Sequence, residues 1–269
     1  MVFPPRIRNF FAGKDKPYVV TFTGGMGAQI ISAAIYFSMK NAGRPVYAEL
    51  SYFDKPESVA VTGKVGDCSH WAWQLAPFDL FPASFDATPS LTNRNADILQ
   101  DSPQKLELGL SALAQSEVQK RFAIPAGVSD ILPGQSANGF LCIHVRRSDY
   151  VNVASHLVPD DEFISLARKF SGLIKSVAVI SDSPIGPDFR NAASSYFEEH
   201  FFLDNTDPYT AHRIMRSARV LICSNSQFSL IAAALNPNAL VLIPKQWFGG
   251  KDREMEASIH SRCSFQIMK

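Results

Sequence analysis

The chain has 269 residues, of which 46% are hydrophobic and 19% charged, and its formal net charge is +1. This length suffices for one large or two moderate domains with hydrophobic cores. The near-neutral charge lacks the basic excess of nucleic-acid-binding proteins, and no apolar run approaches the ~18 residues that a membrane span requires.

The N-terminal residues and the cysteines indicate the cellular compartment in which the protein is expected. Residues 1–16 have neither the apolar core nor the cleavage site of a signal peptide. Phe3, Phe10 and Phe11 beside basic residues are of the kind that contacts a membrane surface, but a disordered or docked arm is favoured. The four cysteines are scattered without CxxC spacing, so we expect no zinc site and a reducing, cytoplasmic compartment.

The first readable unit is a strand, a glycine-rich loop and a helix. Residues 18–23 predict the strand, and residues 30–41 an apolar helix closed by Gly43. Between them, Gly25 and Gly27 let backbone N–H groups face an anion or a sugar hydroxyl. A second strand at 45–49 ends in Glu49, which imitates a dinucleotide fingerprint, but Ile30 stands where that fingerprint requires Gly or Ala.

Residues 51–135 are the least readable part of the chain. Four aromatic residues within 67–81 form a short cluster: His70, Trp71, Trp73 and Phe78. Such rings can stack on a sugar acceptor, but aromatic residues that fill a gap in the core are the favoured interpretation. The glycines and prolines of residues 125–139 predict a linker, and we place the domain boundary there.

The central motif follows a predicted buried strand at 140–145. Arg146 and Arg147 stand at its carboxyl end, where open α/β sheets bind ligands. A guanidinium matches phosphate oxygens two at a time, and Asp149 can orient one arginine so that the other binds an anion. A solvated Arg–Arg–Asp loop is the alternative interpretation.

Acidic residues follow at two further places. Pro159 and the acids at 160–162 predict the start of a helix at 161–170, which we prefer to a metal site. Asp182 follows a predicted strand at 177–181 and can bind a base or a ribose; capping of the next helix is an equal alternative.

The last third alternates strands and helices in the same way. Helices are predicted at 187–198, from Pro208 onward with Asp207 as its cap, and at 230–235. Strands are predicted at 201–203, 219–223 and 239–244, and we expect the last of them to close the sheet. Residues 224–229 place hydroxyl and amide groups at a helix N-terminus, which binds phosphate without a cation. Taken alone, Ser226 is as well explained as a helix cap.

Four blocks in this order resemble the α1,2-fucosyltransferases and the related α1,6- and protein O-fucosyltransferases, which use GDP-fucose. The matches are to HxRRxDY at His144–Tyr150, to GGLGNQ at Gly24–Gln29 except Ala28, to SNSTFS at Ser224–Ser229 except Gln227, and to a Pro…Trp-Phe element that ends at Phe248. An SD pair at Ser181 and Asp182, and a histidine before a helix at His156, also fit.

The resemblance implies roles for these residues. The first arginine of the motif, Arg146, would hold the β-phosphate, and Asp149 or His156 would serve as the base. The predicted donor-binding residues are His144, Arg146, Asp182, Ser224, Asn225, Ser226, Gln227, Phe228, Gly25, Gly27 and Gln29. No metal or other cofactor is expected. Ala28 and Gln227 depart from the motifs and motivate the alternative of a catalytically impaired nucleotide-binding relative.

We therefore predict an α/β protein of the GT-B type, with two Rossmann-like domains whose parallel sheets face each other across a cleft. Residues 1–134 would form the acceptor-side domain and residues 135–269 the nucleotide-sugar-binding domain. The predicted activity is inverting transfer of fucose from GDP-fucose to a glycan hydroxyl, as in α1,2-fucosylation of galactosides in bacterial surface polysaccharides. The protein would then be cytoplasmic, with peripheral contact at the inner membrane face through residues 1–16. A dinucleotide-dependent oxidoreductase using Gly25, Gly27 and Glu49 is the remaining alternative.

Overall fold

The computed structural model describes residues 16–54, 72–87, 96–125, 127–133, 139–148, 151, 157–236 and 238–244, and the backbone of 265–267. The chain divides into two compact units, Met1–Ala123 and Ile124–Lys269. The predicted boundary at 134 lies further along the chain, in a linker whose residues 126 and 134–138 fall outside the described residues.

Unit 1 is built on a parallel sheet of three strands in the order β2-β1-β3. The strands are β1 (Tyr18–Thr21), β2 (Val46–Glu49) and β3 (Asp97–Leu99), and the helices are α1 (Met26–Asn41), α2 (Pro103–Leu113) and α3 (Ser116–Gln119). Short 3₁₀ turns lie at Ser51–Phe53, Ala76–Phe78, Pro82–Ser84 and Lys120–Phe122. Since all pairings are parallel, the carboxyl ends of the three strands lie on one edge.

The core of unit 1 surrounds α1, whose residues from Ile30 to Met39 are all buried. A helix that is apolar all round must be covered on every side. It starts four residues before the predicted position, because Gly25 serves as its N-cap and Met26–Gln29 are already helical. α2, absent from the sequence-based prediction, packs against it with Gly109 at Ile31.

The described aromatic residues of the 67–81 cluster lie in this core. The ring of Trp73 stacks on Phe22 with centroids 5.8 Å apart and contacts Phe85, while its indole N–H donates to Leu80 O at 2.7 Å. Phe78 packs edge-on against Phe122 at 5.7 Å. These contacts support the gap-filling interpretation for both residues; His70 and Trp71 lie outside the described residues.

Unit 2 contains a parallel sheet of six strands in the order β6-β5-β4-β7-β8-β9. The strands are β4 (Phe140–Val145), β5 (Ser176–Ser181), β6 (Glu199–Asp204), β7 (Val220–Ile222), β8 (Leu240–Ile243) and β9 (Phe265–Ile267). Counted from β4, this is the order 3-2-1-4-5-6 of the dinucleotide-binding Rossmann fold. The prediction that 239–244 closes the sheet is wrong, because β9 pairs beyond β8.

Within the described residues, the helices that connect these strands are α4 (Asp160–Arg168), α5 (Pro187–Tyr196), α6 (Pro208–Ser217) and α7 (Gln227–Ala234). Every residue of β4 and β5 is buried, as expected for strands covered on both faces. Phe163 and Phe189 anchor α4 and α5 on the sheet. The predicted α/β class with two parallel sheets is confirmed.

Among the residues described, no helix is long and apolar enough to cross a membrane. Membrane contact through residues 1–16 stays a prediction, because residues 1–15 fall outside the described part of the chain.

The contact between α1 and α2 makes Gly109 sensitive to a single methyl group. A Cβ at Gly109 would lie 2.5 Å from Ile31 Cγ2 and 3.3 Å from its Cα. Alanine adds about 1 kcal/mol of helix propensity, but overpacking costs about 1–3 kcal/mol, so we expect Gly109→Ala to lower the free energy of unfolding. Urea unfolding measures the difference.

The matched control is Gly172→Ala, where an added Cβ meets nothing within 4 Å. It should leave the free energy of unfolding within about 0.5 kcal/mol of the parent value. Equal stability of the two variants would contradict the close helix contact.

Candidate functional site

The candidate site lies at the carboxyl edge of the unit 2 sheet, between β4 and β7. The chain leaves β4 toward β5 on one side and returns to β7 on the other, which makes this the topological switch point. The connections diverge at such a point and open a crevice that ligands occupy in open α/β sheets. Arg146 follows β4 directly, and Ser224 follows β7 after one residue.

A side-chain hydrogen bond joins the two strand ends. His144 Nδ1 lies 2.7 Å from Ser224 Oγ, although the residues are 80 positions apart. The imidazole, 3% exposed, also packs against the ring of Phe228 at a centroid distance of 5.4 Å. Burial and the neighbouring charge of Arg146 lower the pKa of His144 to about 3, so it is neutral at pH 7. His144 therefore holds the two segments together.

Phe228 is held on its other side by a second buried histidine that the sequence analysis missed. The ring of His212, on α6, lies 4.7 Å from the Phe228 ring, and its Nε2 is 3.2 Å from Phe228 O. Burial, with the nearby charge of Arg216, lowers the pKa of His212 to about 3. The start of α7 is thus clamped between two neutral imidazoles.

The segment from Ser224 to Ser229 forms the N-terminus of α7. Ser226 is the N-cap, and its Oγ accepts from Phe228 N at 3.2 Å. The prediction that Ser226 caps this helix is therefore confirmed. Ser229 Oγ donates within the segment, to Ser224 O and Ser226 O. Asn225 is buried, and Gln227 is the first residue of the helix. A capping hydroxyl keeps its own proton for donation, so phosphate binding at Ser226 stays a prediction.

The two arginines have different partners. Arg146 Nη1 lies 2.7 Å from Asp182 Oδ2, at the end of the neighbouring strand β5, and Asp182 Oδ1 accepts from Arg147 N at 2.8 Å. Arg147 donates instead to Asp160, on the first turn of α4, and its guanidinium lies 5.9 Å from the Phe163 ring. Asp182 therefore orients the guanidinium of Arg146 and the backbone beside it.

The expectations for these acids have different outcomes. Arg146 is paired with Asp182 and Arg147 with Asp160. Asp149 lies outside the described residues, so its role in orienting one arginine stays a prediction. Capping of the next helix by Asp182 is wrong, because α5 has Gly186 as its N-cap. The predicted helix start after Pro159 is confirmed, with α4 beginning at Asp160.

Several predicted site residues lie outside the described part of the chain, so their roles stay predictions. They are Asp149 and His156, named as candidate bases, with Tyr150 of the arginine motif and the Trp247-Phe248 pair.

In unit 1, the glycine loop is closed by hydrogen bonds with the 72–74 segment, made by its backbone and by the side chain of Gln74. Gln29, fully buried, donates to Gly24 O and Ala72 O, both at 2.8 Å, and its Oε1 accepts from Gln74 N. Gln74 Oε1 in turn accepts from Met26 N at 2.7 Å, at the first turn of α1. The amide of Gln29 thus shapes the loop that holds Gly25 and the first turn of α1, in which Gly27 lies.

A second polar cluster at the unit 1 sheet edge was not anticipated. Lys105, 3% exposed, donates to Thr21 O at 2.5 Å and to Asp101 Oδ1 at 2.8 Å. Asp101 also accepts from the Thr23 hydroxyl. The i,i+4 spacing of Asp101 and Lys105 was visible in the sequence, but the burial of Lys105 comes from β1, 84 positions away.

Within the described residues, no group of three or more His, Cys, Asp or Glu side chains is arranged to hold a metal ion. Cys142 and Cys223 are buried free thiols in β4 and just after β7, as expected for small core residues.

Comparisons with known proteins give remote structural similarities. No family model matches the chain, and no curated protein matches it. Among solved structures, POFUT1 in complex with GDP-fucose is similar at 14% identity and a TM-score of 0.45, over 85% of this chain and 96% of that chain. The heptosyltransferase WaaC of E. coli with ADP is similar at 12% identity and a TM-score of 0.47, over 93% of each chain. A glycosyl transferase of family 9 from Veillonella parvula is similar at 10% identity and a TM-score of 0.46, over 94% of this chain and 86% of that chain.

The buried histidines predict a specific loss of stability in acid. Both pKa values fall from 6.5 to about 3 on folding, so the unfolded chain binds more protons between these values. The free energy of unfolding should therefore be maximal above pH 6.5 and fall by up to about 1.4 kcal/mol per pH unit for each histidine below it. Denaturant unfolding between pH 7 and 4 measures this slope.

The variant His212→Asn should flatten that slope, whatever its own stability. The control His200→Asn, at an exposed position of β6, should keep the parent slope. A His212→Asn slope equal to that of the parent would contradict a buried neutral imidazole.

Proposed function

We propose that the protein is an inverting glycosyltransferase whose second unit binds the diphosphate of a nucleotide-sugar donor at the switch point between β4 and β7. The observation that carries the proposal is the 2.7 Å contact between His144 and Ser224, which brings the arginine segment and the N-terminus of α7 to one crevice. The first offers a guanidinium oriented by Asp182, and the second offers the positive end of the α7 dipole and the hydroxyl proton of its cap, Ser226. Together they present the donors that a diphosphate needs.

The charge balance of the site indicates how such a ligand is recognised. Arg146 and Arg147 are each paired with a carboxylate, so little net positive charge remains around them. Long-range attraction of an anion is then weak, and affinity depends on directed hydrogen bonds at short range. A guanidinium has five N–H donors in a planar fork that matches phosphate oxygens, and Asp182 fixes the orientation of that fork in Arg146.

The same groups suit the chemistry of transfer. When the bond from the sugar C1 to the phosphate oxygen breaks, negative charge grows on the departing diphosphate. Arg146 and the positive end of the α7 dipole stabilise that charge without a divalent ion. The acceptor hydroxyl oxygen forms the new bond at C1 from the opposite face and gives its proton to a base. Asp149 and His156 remain the candidates named from the sequence.

The donor and acceptor follow from the sequence resemblance alone. We propose GDP-fucose as the donor and a galactoside hydroxyl of a bacterial surface polysaccharide as the acceptor, with α1,2 linkage. Such a role implies a cytoplasmic protein, peripheral at the inner membrane face.

A dinucleotide-dependent oxidoreductase is less well supported by the unit 1 loop. Pyrophosphate in that fold sits on free N–H groups at the helix N-terminus. Here Gln74 occupies the N–H of Met26, and Glu49 accepts from Ser51 N at 2.8 Å. Titration with NADH should therefore give no saturable binding, whereas GDP should saturate.

The test of the donor site is calorimetric titration with GDP. Arg146→Ala should weaken GDP binding about 10- to 100-fold, because one hydrogen bond to a charged group contributes about 1.5–3 kcal/mol. Arg146→Lys keeps the charge but loses the planar fork, so it should recover only part of the affinity.

The matched control is Arg147→Met, next in sequence and paired with Asp160. It should change GDP affinity by less than about threefold. No GDP binding by the parent protein, or equal losses in both variants, would overturn the proposal. Saturable GDP binding with no transfer from GDP-fucose, GDP-mannose or UDP-sugars would favour the impaired relative that Ala28 and Gln227 motivate.

A further inference from the structure

We infer that His212 is a positioning residue of the donor site: its Nε2–H holds the carbonyl of Phe228 and so fixes the first turn of α7, where the diphosphate is to bind. The inference rests on the proposed function for the ligand that this turn receives. It assigns a role to a residue of α6 that lies outside every motif named from the sequence and that acts through Phe228.

The proton of the buried imidazole is located by its hydrogen-bond partner. His212 is fully buried, and its Nε2 lies 3.2 Å from Phe228 O. Burial lowers the pKa of the ring to about 3, so one nitrogen alone carries a proton at pH 7. Because a carbonyl oxygen only accepts, that nitrogen is Nε2. The other nitrogen, Nδ1, is a buried acceptor without a hydrogen-bond partner among the described residues.

Stability alone does not favour a histidine at this position. A buried acceptor left without a partner destabilises the folded state, and an apolar side chain of similar volume would avoid that cost. The ring of His212 packs on the Phe228 ring at a centroid distance of 4.7 Å, a contact that an apolar side chain can also make. What requires a donor at position 212 is the directed hydrogen bond to the Phe228 carbonyl.

That hydrogen bond reaches the donor site through the first turn of α7. Phe228 is the second residue of the helix, and its N–H donates to the Oγ of Ser226, the N-cap, at 3.2 Å. Fixing the Phe228 backbone therefore fixes the direction from which the Ser226 oxygen accepts, and with it the directions left for the hydroxyl proton. His144, which contacts Ser224, packs against the same Phe228 ring. His212 thus supports from α6 the turn that His144 supports from β4.

The helix that carries His212 is itself held against α7 at a second place. The buried amide of Asn236, just after the end of α7, donates to Met215 O at 3.1 Å and to Ala218 O at 2.9 Å, at the end of α6. Side-chain hydrogen bonds therefore join α6 to α7 at the start of α7, through His212, and after its end, through Asn236. Support of this kind holds a binding group in the geometry that its ligand requires.

The first test compares two variants that differ by one hydrogen-bond donor. His212→Gln keeps an amide N–H at about the reach of Nε2, whereas His212→Met has a similar unbranched shape without a donor, and both lose the ring. Calorimetric titration should show GDP binding weakened about tenfold in His212→Met but within about threefold of the parent in His212→Gln, because only the first loses the alignment of a bond to a charged phosphate. GMP, which lacks the β-phosphate, should bind within about threefold of the parent value in both variants.

The control is His200→Gln, the same substitution at an exposed position of β6, which should leave both affinities unchanged. Urea unfolding measures the stability of each variant. A histidine with a merely structural role would lower stability without changing the ratio of GDP to GMP affinity. That result, or equal GDP affinity in His212→Met and His212→Gln, would overturn the positioning role.

A second test needs no substitution. Nitrogen-15 NMR of the histidine side chains in the parent protein should show His212 protonated on Nε2 and unprotonated on Nδ1 at pH 7. A proton on Nδ1 alone would overturn the inference, because Nε2 could not then donate to Phe228 O. Failure of the parent to bind GDP would overturn the proposed function and this inference together, whereas GDP binding without a difference between the Met and Gln variants would overturn the inference alone.

Discussion

The functional interpretation depends on one hydrogen bond, between His144 Nδ1 and Ser224 Oγ at 2.7 Å. Parallel strands bring their ends to one edge, but only a direct link fixes the distance between loops that leave in opposite directions. Because the imidazole is buried and neutral, the bond cannot be exchanged for one to water without exposing the core. Phe228, packed between His144 and His212, extends this constraint to the first turn of α7.

In each unit, charged side chains near the sheet edge are arranged in pairs. Asp182 holds Arg146, Asp160 holds Arg147, and in unit 1 Asp101 holds Lys105. Ion pairs of this kind contribute little to stability at the surface, and a buried one can cost stability. Their common effect is to restrict side-chain rotation next to sheet edges. Preorganised donors and acceptors lose less entropy on binding, which favours recognition by geometry over recognition by net charge.

The sequence predicted the fold of unit 2 better than that of unit 1. A short, largely apolar run such as residues 140–145 is typical of a strand covered on both faces, and β4 has the predicted bounds. In unit 1, α2 carries Gly109 and Lys105 at positions that look wrong for a buried helix. Gly109 is explained by its close contact with Ile31 of α1, and buried Lys105 by its hydrogen bond to Thr21 of β1. Neither contact is visible in the local sequence pattern, so the helix was not predicted. β9 was missed because three strand residues leave too short a pattern.

The sequence indicated individual residues of the candidate site, but not the contacts between them. Arg146 and Ser226 were named because a strand followed by polar residues is a local signal, and their ligand-binding roles stay predictions. The partnership of Arg146 with Asp182, 36 positions further along the chain, depends on the pairing of β4 with β5 and has no local signal. His212 looked like an ordinary residue of an amphipathic helix, and only the packing of α6 against α7 shows that it contacts Phe228.

A crystal structure of the protein with GDP tests the central claim most directly. The claim predicts the β-phosphate within hydrogen-bonding distance of the Arg146 guanidinium and of the backbone N–H groups that begin α7, with the contact between His144 and Ser224 preserved. GDP bound at any other edge of either sheet, or a diphosphate that contacts neither segment, would contradict it.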